Sequence, residues 1–405
     1  MNQFLRTAPT RRLLGTILGF VVAVAAGTTI AIAASGGGPV PRREPLARAI
    51  HQALASHAPR GVFARITLTN NLIDSSEIQG SDPLLNGGSG RLWITAHRLR
   101  LEIQGDNGDA QVVVNGRSFW AYDPAFKTVY RGKLPASRAG ATKHGAGEGS
   151  KMLPSLARIQ SGLNRLAKHL HLSGAVPTDV AGEAAYSVRL SPRQDNGLLG
   201  AAELAWDAGR GVPLRIGLYA RGNPTPVLQL AASDISFGPQ SPSIFKISPP
   251  SGAHVVSLST HTEAVHDRSD SHGGRHPTVA GVSAVARHLP FALDAPASLA
   301  GRPRTAVRLL GSSGHTGALL LYGHGLGTVV VLEQAAGHTH RLVQTQTGGG
   351  ERPGLSLPTV TVGGATAQQL QTAIGTVMRF VRGGVAYTVL GSVTARTADR
   401  AARGL

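Results

Sequence analysis

Five histidines, His254, His261, His266, His272 and His276, lie within 23 residues, with Asp267 and Asp270 among them. Imidazole and carboxylate together suit zinc, copper or nickel. The tract has no H-E-x-x-H and no other helical spacing that would gather ligands around one ion. Its surroundings are polar and nearly free of large apolar residues. It reads as a linker, and no metal site is expected. Two glycine-rich stretches give no phosphate site either. Gly145-Ala146-Gly147-Glu148-Gly149-Ser150-Lys151 lacks the G-x-x-x-x-G-K-[ST] spacing. Gly323-His324-Gly325-Leu326-Gly327 runs into Thr328-Val329-Val330-Val331, a strand pattern, where a dinucleotide site needs a helix amino terminus. No G-x-S-x-G, S-x-x-K or H-E-x-x-H stands in a usable context. The chain has no cysteine and only 22 acidic residues in 405. Thiol chemistry is excluded and paired-carboxylate chemistry has few candidates. The expectation is a protein that is not an enzyme and carries no cofactor.

What remains are apolar side chains at strand spacing. Trp93, Leu99, Leu101, Ile103, Val112, Val114, Phe119, Trp120 and Trp206 are the candidates for lining an apolar cavity. Hydrophobic residues make up 41% of the chain, enough to build a core, whereas aromatics are 4%. So few aromatics argue against a base-stacking surface, and no nucleic-acid partner is expected. The net charge of +18 comes from 34 arginines and 6 lysines scattered along the chain rather than run together. Such a body is drawn to anionic lipid headgroups or wall polymers.

Location is written at the amino terminus. Leu13 to Ala34 is an uncharged 22-residue run. At 1.5 Å per residue it spans roughly 33 Å, enough for a bilayer core of about 30 Å. Arg6, Arg11 and Arg12 precede it, so the rest of the chain is expected outside the cytoplasm. Ala31-Ile32-Ala33 is also a small-x-small cleavage pattern. Residues 1–34 are thus read as a transmembrane anchor or a signal. The body is then single-pass and extracytoplasmic, or secreted if the segment is cleaved.

Composition divides the remainder into a linker at 35–45, a patterned block at 46–256, a His-rich linker at 257–288 and a smaller block at 289–405. The first block opens with a helix carrying Leu46, Ile50, Ala53 and Leu54 on one face. Strand patterns follow at 62–68, 91–104, 111–114, 117–122 and 128–131, with Asn115-Gly116 expected to form a type I′ turn. Met152, Leu156, Ile159, Leu163, Leu166 and Leu170 step by four and three, one helical stripe. Further strands are expected at 184–190, 201–206, 213–219, 227–237 and 245–247. The second block shows strands at 305–309, 318–322, 327–333 and 385–390, with a helix near 366–381 carrying Leu370, Ile374, Val377 and Val381. The fold class expected is α+β. It comprises a half-open curved antiparallel β-barrel under a helical lid, an N-terminal transmembrane helix and a smaller C-terminal α+β domain.

The strand series also carries a resemblance. Trp93…Arg98-Leu99-Arg100-Leu101-Glu102, Val113-Val114-Asn115-Gly116…Phe119-Trp120-Ala121-Tyr122-Asp123-Pro124, Leu204-Ala205-Trp206-Asp207 with Val212-Pro213-Leu214-Arg215, and the closing stretch from Phe245 to Val255 resemble the LolA-like lipoprotein-carrier superfamily. The resemblance covers about half the chain. It implies a concave sheet, lidded by helices, that holds an acyl chain. Leu156, Ile159, Leu163 and Leu166 would then form the lid. Burial gains about 0.8 kcal/mol per CH₂, so a long chain supplies ample gross energy for holding and passing on a lipid or an acylated protein. The order of a larger and a smaller block resembles RseB-type regulators. That implies the alternative: a regulator binding an anti-sigma factor or other membrane partner in envelope stress signalling. A third reading is a structural envelope protein with a vestigial cavity.

Overall fold

The computed structural model describes residues 38–73, 83–105, 108–134, 155–193, 197–258, 279–311, 316–336 and 357–405. Thirteen strands form one sheet: β1 (Val62–Asn70), β2 (Gly88–Thr95), β3 (Arg98–Ile103), β4 (Ala110–Asn115), β5 (Ser118–Asp123), β6 (Thr128–Lys133), β7 (Leu170–Leu172), β8 (Val176–Val180), β9 (Glu183–Pro192), β10 (Leu199–Asp207), β11 (Pro213–Ala220), β12 (Pro226–Phe237) and β13 (His254–Leu258). Their order is β13-β6-β5-β4-β3-β2-β1-β12-β11-β10-β9-β7, with β8 also on β9. The sheet curls into a half-barrel. It stays open because its two ends, β13 and β7, do not pair with each other.

Four register shifts interrupt the ladders of this sheet, and two of them bear on the site: the β1–β12 ladder shifts between Arg65 and Ile66, and the β10–β11 ladder shifts between Ala205 and Trp206. An extra residue in one strand bends it and raises its twist. Alternation then sorts the faces. Leu99, Leu101 and Ile103 of β3 oppose Val114, Val112 and Ala110 of β4 and are buried together. A helix, Leu46–Ala55, covers the β9–β10 part of the same face through Ala49, with Leu46 and Ala53 beside it. Its buried stripe is rotated from the expected one, and Leu54 stays exposed.

A second, eight-stranded sheet contains β14 (Ser298–Leu299), β15 (Arg302–Leu310), β16 (Gly317–Tyr322), β17 (Val329–Ala335), β18 (Thr359–Val362), β19 (Ala365–Thr372), β20 (Gly375–Arg382) and β21 (Val385–Gly391). The order is β14-β15-β16-β17-β21-β20-β19-β18. One face buries Leu320, Tyr322, Val331, Met378, Phe380 and Val389 against Ala398, Ala401 and Ala402 of the carboxy-terminal helix, Ala395–Arg403. Val285 of a short helix, Val282–Ala286, joins this core, so residues expected in the linker pack here. The two sheets touch where Leu198 N–H donates to Ser392 O (3.0 Å) and Ala373 N–H to Leu72 O (2.8 Å).

Several expectations are corrected. Strands dominate both units, which overturns the α+β class. Among the described residues no helix is long and apolar enough to cross a membrane. Leu13 to Ala34 lie outside the described residues, as do Met152 and the four histidines from His261 to His276. The helix expected near 366–381 is the β19–β20 hairpin. Leu370, Ile374, Val377 and Val381 match a helical period, but Thr376, Met378 and Phe380 are the buried residues of β20, at the period of two that a strand requires. The strand expected at 245–247 gives way to a 3₁₀ turn, Pro242–Phe245. The β4–β5 turn also differs. Asn115 pairs with Ser118, so Gly116 and Arg117 form the loop. Only Gly116 has positive φ (61°), as type II′ requires and type I′ does not.

Candidate functional site

The residues singled out for a cavity divide three ways. Leu99, Leu101, Ile103, Val112, Val114 and Phe119 share one buried cluster with Ala64, Ile66, Leu68 and Leu230. Trp206 belongs to another, with Tyr186, Val188, Leu204 and Ala49. Trp93 and Trp120 lie on the opposite, convex face. Trp93 is paired with Arg100 and its ring lies tilted with its centroid 5.3 Å from that of Phe63, and Trp120 is paired with Val113 and Arg131. Phe119 and Trp120 are consecutive in β5, so they point to opposite faces. That signal was available in the sequence.

The open space lies one step across the sheet. A hollow of about 50 Å³ sits on the concave side between β1, β2, β11 and β12, lined by Ala64, Ile66, Leu92, Ile216, Leu230, Ile235 and their neighbours. None of the nine singled-out residues lines it. Its wall is aliphatic apart from Arg215. Both register shifts border it: Ile66 and Ala232 flank one, and Leu214 lies within the other. The hollow exists because β1 and β12, distant in sequence, pair with a bulge. No local pattern announces that.

The helix expected as a lid runs from Leu156 to Leu166. Leu156, Ile159, Leu163 and Leu166 do form a stripe, but no residue of the helix is buried. Leu156 is 44% and Leu166 48% exposed. The helix lies beside Leu46–Ala55, and none of its residues lines the hollow.

Two buried carboxylates on the convex face, Glu102 and Glu203, hold ion pairs. Glu102, buried, is held by Arg91 (2.9 Å) and by Arg100. Arg100 also donates to Ile244 O (3.0 Å), fixing the 3₁₀ turn on the sheet. Glu203, fully buried, accepts from Arg189 Nη1 at 2.6 Å. The Arg189 guanidinium lies 4.2 Å from the Tyr219 ring centroid. Burial pushes the Tyr219 hydroxyl up to about 12, with the Glu203 charge acting the same way. Burial also raises Glu203, against the opposing pull of Arg189, and lowers Arg215. In the second sheet Glu333 is pushed up to about 7 by burial. Glu203 is thus tied to Arg189 and to the Tyr219 hydroxyl, and Glu102 to two arginines. Among the described residues no group of histidines and carboxylates could hold a metal. His254 lies in β13, opposite Thr128. What the described residues place around the hollow is an aliphatic wall with one arginine.

No protein-family model and no curated protein matches the chain. Among solved structures it is similar to the complex of Pseudomonas aeruginosa MucA and MucB, at 16% identity and a TM-score of 0.41, covering 88% of this chain and 96% of that one. It is also similar to an uncharacterized conserved protein from Thermus thermophilus (12% identity, TM-score 0.30, 53% of this chain, 97% of that one). A LolA superfamily protein from Nitrosomonas europaea is similar at 10% identity and a TM-score of 0.21, over 51% of this chain and 99% of that one.

Proposed function

We propose that this protein binds an apolar ligand, a lipid or lipoprotein acyl chain, on the concave face of its first sheet. Its work is binding and handing on, not bond-making. The observation that carries the reading is the aliphatic hollow left open beside Ile66 and Leu230. A well-packed interior leaves few such spaces. Size decides what enters. A dry engineered cavity of roughly 150 Å³ takes benzene, so a hollow of about 50 Å³ takes the end of a chain and not its length. The remaining methylenes would lie along the open half-barrel. An extracytoplasmic position, expected from the amino-terminal sequence, belongs to this proposal.

The hollow's size also favours a second reading. It suits one branched aliphatic side chain of a polypeptide, such as a membrane-bound anti-sigma factor.

Ala232 lines the hollow and is half-buried opposite Ile66. Ala232→Phe is expected to fill the space and weaken binding of a dansyl-labelled fatty acid at least tenfold, read by fluorescence titration. Circular dichroism should be unchanged. Full retention of binding by the folded variant would remove the hollow from the account. Loss of a co-purifying membrane protein, with fatty-acid binding absent from the parent, would favour the second reading.

A further inference from the structure

The helix Leu156–Leu166 is a surface element: among the described residues none fully covers its apolar side, where Leu156 and Leu166 are exposed and Ile159 and Leu163 half-buried beside Leu46–Ala55. Ser155 Oγ accepts from Arg158 N–H (3.3 Å) at its start, and Arg193 Nε donates to Ala167 O (2.6 Å) at its end. Gln160 donates to Asn164 (2.9 Å) on its polar side. The ends and one side are therefore satisfied, while the Leu156–Ile159–Leu163–Leu166 stripe remains unburied. Leu54, on the neighbouring helix Leu46–Ala55, is 45% exposed. Scattered exposed leucines are ordinary, but an ordered stripe of them marks an interaction site.

The surrounding charge selects the occupant. Arg158, Arg165, Lys168 and, on the neighbouring helix, Arg48 are exposed. No acidic residue occurs from Ser155 to Thr178, nor within Leu46–Ala55. An apolar stripe with long basic side chains on the rest of the circumference is the pattern of a helix lying in a membrane interface. The arginine stems lie along the apolar boundary and their heads reach lipid phosphates.

We propose that this helix pair docks the protein on an anionic lipid surface, with Leu156, Ile159, Leu163 and Leu166 entering the headgroup–acyl boundary. The proposal is independent of the hollow, and Ala232→Phe should leave it intact.

Because the chain has no cysteine, Leu166→Cys in the full chain accepts a single environment-sensitive NBD label. Thr225→Cys, in the exposed β11–β12 turn, is the control. Vesicles of 30% phosphatidylglycerol in phosphatidylcholine should blue-shift the label at 166 and brighten it several-fold, and leave the label at 225 unchanged. The comparison is local, so other lipid-seeking segments of the chain cannot produce it. Each basic residue near an anionic surface is worth roughly fivefold. Arg158→Glu with Arg165→Glu should therefore raise the lipid concentration needed for half the response by at least 25-fold. These side chains are exposed, so folding should be unaffected. An unshifted label at 166, an equal response to pure phosphatidylcholine, or an unaltered response in the double variant would each overturn the proposal. An unshifted label would leave the stripe to a protein partner.

Discussion

Glu333→Gln is expected to stabilise the second sheet at pH 8 by roughly 3 kcal/mol and to remove most of the fall in its stability between pH 4.5 and pH 7. Glu333 is fully buried in β17, opposite Ala318 and Tyr387. One carboxylate oxygen accepts from Asp294 N–H (3.1 Å), and the other has no partner. Burial raises its pKa from 4.5 to about 7 against the opposing pull of the Asp294 N–H bond, with a smaller upward push from the charge of Asp294. The folded state then holds a proton that the unfolded chain has already released. Its contribution is complete below about pH 4.5 and lost as pH rises through about 7. Glutamine is neutral throughout and keeps an acceptor for Asp294 N–H. Denaturant unfolding of parent and variant at pH 5 and pH 8 measures the difference. Parallel pH slopes would show that Glu333 is not protonated in the folded protein.

Removal of Glu203 should be more damaging. Glu203→Ala is expected to cost about 3–5 kcal/mol, because it leaves positive charge buried without its counterion. Arg189 is 35% exposed and can turn towards water. Arg215 has less freedom, since its Nε and Nη2 are buried without partners and its pKa is lowered by burial. Glu102 makes the useful comparison. Its partner Arg91 is 49% exposed and Arg100, 20% exposed, keeps its bond to Ile244 O, so Glu102→Ala should cost less. Both Glu203 and Arg215 shift towards their neutral forms, so their burial is an expense that attraction does not fully offset. Glu203→Leu combined with Arg215→Met should therefore recover most of the loss, as buried ion pairs replaced by apolar residues often do. A double variant no more stable than Glu203→Ala would show that the charge on Arg215 is not what makes the single variant unstable.

Local pattern carried much of the first sheet. Alternation in 98–104 placed β3, and the Asn115-Gly116 turn signal placed β4 and β5 on either side of it. The same logic failed at 366–381, where apolar residues of the exposed face of β20, Val377 and Val381, coincided with helical spacing. The nine cavity candidates were strand residues, but seven of them are packed core and two lie on the convex face. The hollow was not legible because it depends on β1 meeting β12 and on two bulges, which are long-range events. The lid expectation read the stripe at 156–166 as inward-facing, since periodicity identifies an apolar side without saying what it meets.

The concave hollow should admit the end of an apolar chain. Crystals of the protein grown with a terminally brominated fatty acid would place that end directly by anomalous scattering. The bromine peak is expected in van der Waals contact with Ile66, Ile216 and Leu230. An empty hollow, with bromine found elsewhere or not at all under saturating ligand, would contradict the account.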